Sequence, residues 1–322
     1  MKVIRTLTEL KEQVEAVPSG VAIGTFDGLH IGHQQVIGSL LEACARQELR
    51  SVVYTFANHP REFTNRDALP NRILTVDEKI DLLDGMGIDL LVMVEFDQEH
   101  MEIEAEAFVA QVLLEGLGMK FLAAGYNFHF GRGARGDAAF LERLGAEKGF
   151  EVSVTPPYTL DGEPVSSSRI RQRLGEGDIE GANRLLGRHH TVSGVVVHGK
   201  KRGRLMGFPT ANLAVSHNMT LIRPGVYVTR TWVGKAHYKS VSNVGCNPTF
   251  SQTEFTLETF ILDYHEDLYH HYITVEFLHR LRDEVRFETK ELLMVQIAQD
   301  VEDARRYFRQ AHKPAVPRKP HQ

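Results

Sequence analysis

The chain has 322 residues, 42% of them hydrophobic and 25% charged, with 37 basic and 42 acidic side chains and a net charge of −5. That is two domains' worth of ordinary globular sequence at about 150 residues each, and its acidic balance excludes broad electrostatic binding of nucleic acid, which needs a basic face. The two cysteines, Cys44 and Cys246, lie far apart and in no metal spacing, which excludes a disulfide scaffold and fits a reducing compartment.

The opening stretch, MKVIRTLTELKEQVEA, is too polar for a signal peptide, and apolar runs such as LLVMV (90–94) are only strand-sized. A soluble, cytoplasmic protein without membrane contact is expected. VAIGTF (21–26) reads as a buried strand, 33–47 as a helix and SVVYTF (51–56) as a second strand. TVDEKIDLLDGM (75–86) opens with a Thr and a Glu three residues on, the pattern of a capping box. LLVMVEF (90–96) is a third strand, 104–117 a helix, FLAAGYNF (121–128) a fourth strand, 138–149 a helix and EVSVTP (151–156) a fifth strand. Strand–helix alternation predicts a parallel sheet with helices on both faces. Ligands of such sheets sit at the carboxyl ends of strands, where GTFDGLHIGH, TFANHP and GYNFHFG fall.

From about residue 191 the pattern changes. TVSGVVVHG, GVYVTRTWV, KAHYKSVSNVG, FTLETFILDY and YITVEFLHRL are β-rich runs divided by turn residues, which predicts an antiparallel barrel or sandwich. A helix is expected over 289–308, and HKPAVPRKPHQ (312–322) reads as a disordered tail. The domain boundary is placed near 187–190, and no internal repeat is evident.

In GTFDGLHIGH (24–33), His30 and His33 stand at the expected start of a helix. Backbone N–H groups and the helix dipole there favour an anion, and imidazoles add directed donors. Gly24 and Gly28 allow close backbone approach. Alone, the pair would more often be structural or incidental; what lifts it is its context of strand, Gly-rich turn and helix, and further ligands for a metal are lacking at any usual spacing. VSSSRIR (165–171) offers the hydroxyls of Ser167 and Ser168 before a helix, and Arg171 as a guanidinium fork, a second element suited to phosphate. In isolation it could be a plain helix cap with a solvated Arg. FPTAN (208–212) presents hard oxygen ligands from Thr210 and Asn212, stiffened by Pro209. Three other motifs are set aside. GRGARG (131–136) lacks the acidic residue of a dinucleotide fold, GVVVHGKK (194–201) ends in Lys201 where a phosphate loop needs Ser or Thr, and histidines 265, 270, 271 and 279 form no metal spacing.

The string G-x-F-D-G-x-H-x-G-H resembles the signature of HxGH nucleotidyltransferases. The whole chain resembles the bacterial bifunctional riboflavin kinase/FAD synthetases. TFANHPREF (55–63), GYNFHFGRGARGD (125–137) and VSSSRIR continue the resemblance, as do GRLMGFPTANL (203–213), GVY (225–227), NVGCNPTF (243–250) and LETFILDY with DLY (257–269).

The resemblance implies a mixed α/β chain. Residues 1–186 would be a Rossmann-like FMN adenylyltransferase domain, 187–310 a riboflavin kinase β-barrel with a terminal helix, and 311–322 a tail. It implies ATP as co-substrate, riboflavin, FMN and FAD as substrates or products, and Mg²⁺. Small molecules would be the only partners of a monomer or weak homo-oligomer. In the first domain it assigns ATP to His30, His33, Ser167, Ser168 and Arg171, with Gly24, Phe26 and Gly32 alongside. The flavin goes to His59, Pro60, Asn127 and Phe128. In the second it assigns Mg²⁺–ATP to Thr210 and Asn212, the general base to Glu258, and further ATP contacts to Gly199, Lys200, Gly207 and Pro209. The chain departs from the family at Asn58 (usually Pro), Ser168 (usually Thr) and His270 (usually Gly), and reads GRHH (187–190) for the frequent GRPY. Asn58 is expected to add loop freedom, and Ser168 to cost little because the hydroxyl remains. The competing readings are one inactive domain, or a flavin-binding regulatory protein.

Overall fold

The structure is a computed structural model that describes residues 1–61, 71–199, 207–216, 218–248 and 253–311. Contacts divide it into two compact units, Met1–Arg169 with Leu185–Gly187, and Ile170–Arg184 with Arg188 onward. A boundary at 186 would put residues 170–184 in the first domain, whereas their contacts are with the second unit.

The first unit is built on six parallel strands, β1 (Lys2–Ile4), β2 (Ser19–Ile23), β3 (Arg50–Phe56), β4 (Leu90–Val94), β5 (Met119–Gly125) and β6 (Glu151–Thr155), in the order β1-β4-β3-β2-β5-β6, followed by a separate two-stranded ribbon of β7 (Thr159–Leu160) and β8 (Glu163–Pro164). The alternation expected from sequence is present, with β1 and the helix α1 (Leu7–Gln13) as additions. They were missed because KVI is short and the helix is mostly exposed. β2 and β4 are buried at every residue, as strands covered on both faces must be. Two apolar cores result. One holds Ile23, Tyr54, Val92, Phe108 and Leu122, and the other Ile37, Leu40, Val53, Leu91 and Phe121.

Local chemistry sets the helix limits. Helix α2 (Ile31–Gln47) starts earlier than expected because the His30 side chain caps it, and it ends at Glu48 in the left-handed region (φ 54°). Helix α3 (Val76–Gly85) has the expected capping box between Thr75 and Glu78. The helix expected over 104–117 begins at Ala105–Ala107 and widens to a π-helix over Phe108–Gly116. β5 stops at Gly125, short of the expected Phe128, because the Phe128 N–H turns back to the Gly125 carbonyl at 3.0 Å.

The second unit settles the choice between barrel and sandwich. Strands β9 (His190–Val197), β10 (Ala211–Ala214), β11 (Gly225–Val233), β12 (Ala236–Pro248), β13 (Thr253–Ile261) and β14 (Tyr272–Arg282) close a barrel in the order β10-β13-β12-β11-β14-β9. Closure removes the edges that an open sheet would expose. Its interior is partly polar. Thr229, Thr231, Ser240, Ser242 and Thr259 are fully buried, and each hydroxyl bonds another at 2.8 Å. Mutual bonding spares these buried groups the cost of unmet hydrogen bonds. The last helix (Lys290–Ala311) packs Ala304 and Phe308 against Val226, Val228, Val241 and Leu278 on the barrel's outer face. The 312–322 tail and Lys200 lie outside the described residues. Among the described residues, no helix is long and apolar enough to cross a membrane.

The terminal helix is also tied by charge. Arg282 donates from Nε and Nη2 to the two carboxylate oxygens of Asp300, at 2.8 and 2.7 Å, and Asp300 is 4% exposed. Removing one partner of a buried pair strands the other, at a cost of about 3 kcal/mol. Asp300→Ala should therefore lower barrel stability by about that amount. Trp232, the single tryptophan, sits on β11 and reports barrel unfolding in urea by its fluorescence. A loss under about 0.5 kcal/mol, as for an ordinary surface change, would count against this reading of the fork.

Candidate active site

In the first unit, β2 pairs in parallel with β3 on one side and β5 on the other. The chain order thus reverses at β2, the switch point where open α/β sheets bind ligands. Three sequence motifs leave the sheet here, at the carboxyl ends of β2 (Gly24 to His33), β3 (Asn58 to Pro60) and β5 (Asn127, Phe128).

The turn out of β2 carries three residues in the left-handed region, Phe26 (φ 45°), Gly28 (φ 81°) and Leu29 (φ 40°). The Gly24 N–H bonds the Tyr54 carbonyl at 3.2 Å, which fixes where the turn begins. A Cβ on Gly24 would approach the Phe26 ring at 3.1 Å, and one on Gly32 the His30 ring at 3.3 Å. His30 Nδ1 accepts the His33 N–H at 3.3 Å. In the neutral ring this places the proton on Nε2, so that nitrogen is a donor. The His30 and His33 rings stack with centroids 3.6 Å apart, and Phe26 meets His33 edge-on at 5.4 Å. The first turn of α2 contains no acidic residue, so the positive end of the helix dipole is not neutralised there.

The second predicted phosphate element joins the first at Asp27. The Ser167 hydroxyl donates to the Asp27 carbonyl at 2.8 Å, and Asp27 Oδ1 accepts the Ile73 N–H at 3.1 Å. Helix α4 (Ser167–Glu176) includes both serines that were expected to precede it, and Ser166 accepts the Arg169 N–H at 3.3 Å. Ser168 is exposed, and Arg171, half-buried, lies four residues beyond Ser167 on the same helix. Asp27 and Ser166 were missed by sequence reasoning, although Asp27 stands inside the quoted motif.

Asn58 corrects an expectation. Its amide donates to the Phe96 carbonyl at 2.8 Å, and its oxygen accepts the Phe96 N–H at 2.7 Å. The departure from proline therefore pins the end of β3 to the segment after β4 rather than freeing it. His59 Nδ1 accepts the Arg61 N–H at 3.1 Å, and His59 and Pro60 are half-buried. At the end of β5, Asn127 is exposed and Phe128 stacks on Phe130 at 5.5 Å.

In the second unit, strand register aligns the predicted residues. Glu258 on β13 pairs with Asn212 on β10 and with Asn243 on β12. Their neighbours Leu213, Val244, Leu257 and Thr259 are buried, so Asn212, Glu258 and Asn243 share the barrel's outward face. Directly opposed side chains on one face have Cβ atoms about 4.5–5.5 Å apart. Phe208 meets Phe260 edge-on at 5.5 Å, which seats the segment bearing Thr210 on β13. Gly199 lies against Asn212, because a Cβ there would fall 2.4 Å from the Asn212 amide carbon. Gly207 (φ 81°) and Pro209 are exposed, and Thr210 is half-buried. Asn243 was missed because nothing in a single sequence reveals cross-strand register. Among the described residues, no group of three or more His, Cys, Asp or Glu side chains could hold a metal. The set-aside histidines do other work: His279 pairs with Glu180, and the His270 N–H bonds the Val196 carbonyl.

Known proteins resemble both units. A sequence model of the FAD synthetase family matches residues 12–169, and one of riboflavin kinase matches residues 186–308. The bifunctional riboflavin kinase/FMN adenylyltransferase of Haemophilus influenzae is 33% identical over 96% of this chain and 99% of its own. That of Escherichia coli K12 is 35% identical over 96% and 98%. A crystal structure described as a macrolide-efflux protein from Streptococcus pneumoniae has a TM-score of 0.86 at 29% identity, covering 95% of this chain and 99% of that one.

The turn makes a stability contrast. Gly28→Ala would hold a side chain at φ 81° with its Cβ 3.1 Å from Ile73, and should destabilise the first unit by about 1–2 kcal/mol. Gly38→Ala, inside α2 with nothing within 4 Å of the added Cβ, should stabilise it by about 1 kcal/mol. Amide hydrogen exchange over residues 31–47 reads both, and equal effects would refute the strained-turn account.

Proposed function

The chain belongs to the bifunctional riboflavin kinase/FMN adenylyltransferase family, and we propose that its two reactions run at two separate sites, one in each unit. It phosphorylates riboflavin to FMN with ATP, and transfers the adenylyl group of a second ATP to FMN, giving FAD and pyrophosphate. The observation that supports the division of labour is that Ser167 meets the His30 turn at Asp27 within the first unit, Arg171 being counted with the second, while Asn212 and Glu258 align by strand register in the barrel.

For adenylyl transfer, the FMN phosphate attacks the ATP α-phosphorus and pyrophosphate leaves. No covalent intermediate is needed, so alignment and charge neutralisation carry the rate. His30 and His33, with Gly24, Phe26 and Gly32 shaping the turn, would meet the nucleotide phosphates. Ser167, Ser168 and Arg171 supply the second phosphate element. His59, Pro60, Asn127 and Phe128 would hold the flavin, on loops that leave β3 and β5 on either side of β2.

For the kinase reaction, Glu258 would accept the proton of the ribityl hydroxyl as that oxygen attacks the γ-phosphorus. Thr210 and Asn212 offer neutral oxygens suited to Mg²⁺, which typically keeps water and phosphate as its other ligands. The fit is supported by Gly199, whose missing Cβ leaves room against the Asn212 amide. Bound there, Mg²⁺ would offset the phosphate charge that builds during transfer. Gly199, Lys200, Gly207 and Pro209 would complete the ATP contacts.

Two substitutions test the separation. Glu258→Gln should lower FMN formation from riboflavin by about 10²-fold or more while FAD formation from supplied FMN persists. His33→Ala should do the reverse. Both are read by separating flavins after incubation with ATP and Mg²⁺. A folded variant that loses both activities would sink the two-site assignment.

A further inference from the structure

Lys79 belongs to none of the motifs above, yet it joins two of them. It lies in the first turns of α3 and is buried, with 8% exposure. Its ammonium donates to the Thr25 carbonyl at 2.9 Å and to the Phe56 carbonyl at 3.1 Å. Thr25 begins the strained turn that leads to His30. Phe56 ends β3 and precedes Asn58, His59 and Pro60. The Thr25 carbonyl also accepts the Thr55 hydroxyl at 3.1 Å, so the ends of β2 and β3 are joined twice.

Lysine is almost never buried to this degree unless its charge is matched. Methionine would fill a similar volume without the cost of desolvating an ammonium. A cation that costs stability here, at the carboxyl edge of the sheet, calls for a role beyond packing.

Resting on the adenylyl-transfer reading, we propose that Lys79 is a positioning residue for that reaction: its ammonium fixes the nucleotide turn against the flavin loop and adds buried positive charge at the edge where the phosphates meet. Burial is the main influence on the group and pulls its pKa down to about 8. Among charged neighbours, Asp27 in the turn opposes that shift and Arg72, before α3, adds to it. The ammonium is therefore present at neutral pH and is lost as pH rises through about 8. Deprotonation leaves an amine that can still donate, so the alkaline change is chiefly one of charge.

The test is the pH dependence of FAD formation from FMN and ATP by the full chain, with FMN formation from riboflavin as the internal control. Wild-type protein should lose adenylyl transfer above about pH 8. Lys79→Arg keeps its charge throughout this range, and should hold its activity there. Lys79→Met should lower kcat/KM for adenylyl transfer about 10–100-fold, with KM raised for both ATP and FMN. Kinase rates and their pH profile should be unchanged in both variants. A purely structural lysine would lower the melting temperature without moving the alkaline limb. Wild-type kcat/KM in Lys79→Met, or an alkaline limb that persists in Lys79→Arg, overturns the proposal alone. If Lys79→Met does not fold, the Lys79→Arg profile decides. Wild-type protein that forms no FAD at any pH overturns the adenylyl-transfer reading and the proposal with it.

Discussion

The turn between β2 and α2 is the constraint on which the first unit depends. Phe26 and Leu29 are bulky residues held in the left-handed region, at a cost of about 1–3 kcal/mol each. Their side chains are 1% and 2% exposed, so burial of two large apolar groups opposes the strain. Polar anchors act on the same few residues, with Lys79 on the Thr25 carbonyl, Ser167 on the Asp27 carbonyl and the Ile73 N–H on the Asp27 carboxylate. The outcome of this tension is local geometry. The turn delivers His30 to the capping position of α2, and the cap then sets which His30 nitrogen holds the proton.

The barrel solves its positioning problem by other means. Its candidate residues stand on strands, and their alignment follows from register: moving β13 by one residue would send Glu258 inward and Thr259 outward. The interior opposes such a slip, because Thr259 would leave its bond to Ser242 and a carboxylate would enter a space filled by hydroxyl and apolar groups. The hydroxyl ladder inside thus helps keep the outer row in place.

These two mechanisms explain what the sequence could and could not disclose. Strand–helix alternation, the Thr75 capping box and the β-rich second half were legible because each is a local pattern. So was the likeness between GTFDGLHIGH and a phosphate-binding turn. The meeting of Ser167 with Asp27 spans most of the first unit, and no spacing rule encodes it. Lys79 sits in a stretch, DEKID, that reads as a solvated helical face, and only packing shows that it is buried. Asn58 misled in the opposite direction: a residue that usually loosens a loop is clamped by two bonds to Phe96. Asn243 was hidden because register is a relation between strands.

The charge of each candidate site fits the nucleophile proposed for it. A flavin phosphate is already an anion at neutral pH and needs no base to activate it. What it needs is relief from repulsion as it approaches a triphosphate. The cap and first turn of α2 accordingly hold two imidazoles and no acid, with the buried Lys79 ammonium anchoring the turn before them. A ribityl hydroxyl is the reverse case, a neutral group that must lose a proton as it attacks. A carboxylate belongs there, and Glu258 stands between two amides, Asn212 and Asn243, that add no competing charge. The one carboxylate of the turn before α2, Asp27, is taken up by the Ile73 N–H and faces the Lys79 ammonium, while the second site without its acid would lack a proton acceptor. The two reactions therefore impose opposite electrostatic demands, which is a physical reason to house them on separate folds within one chain.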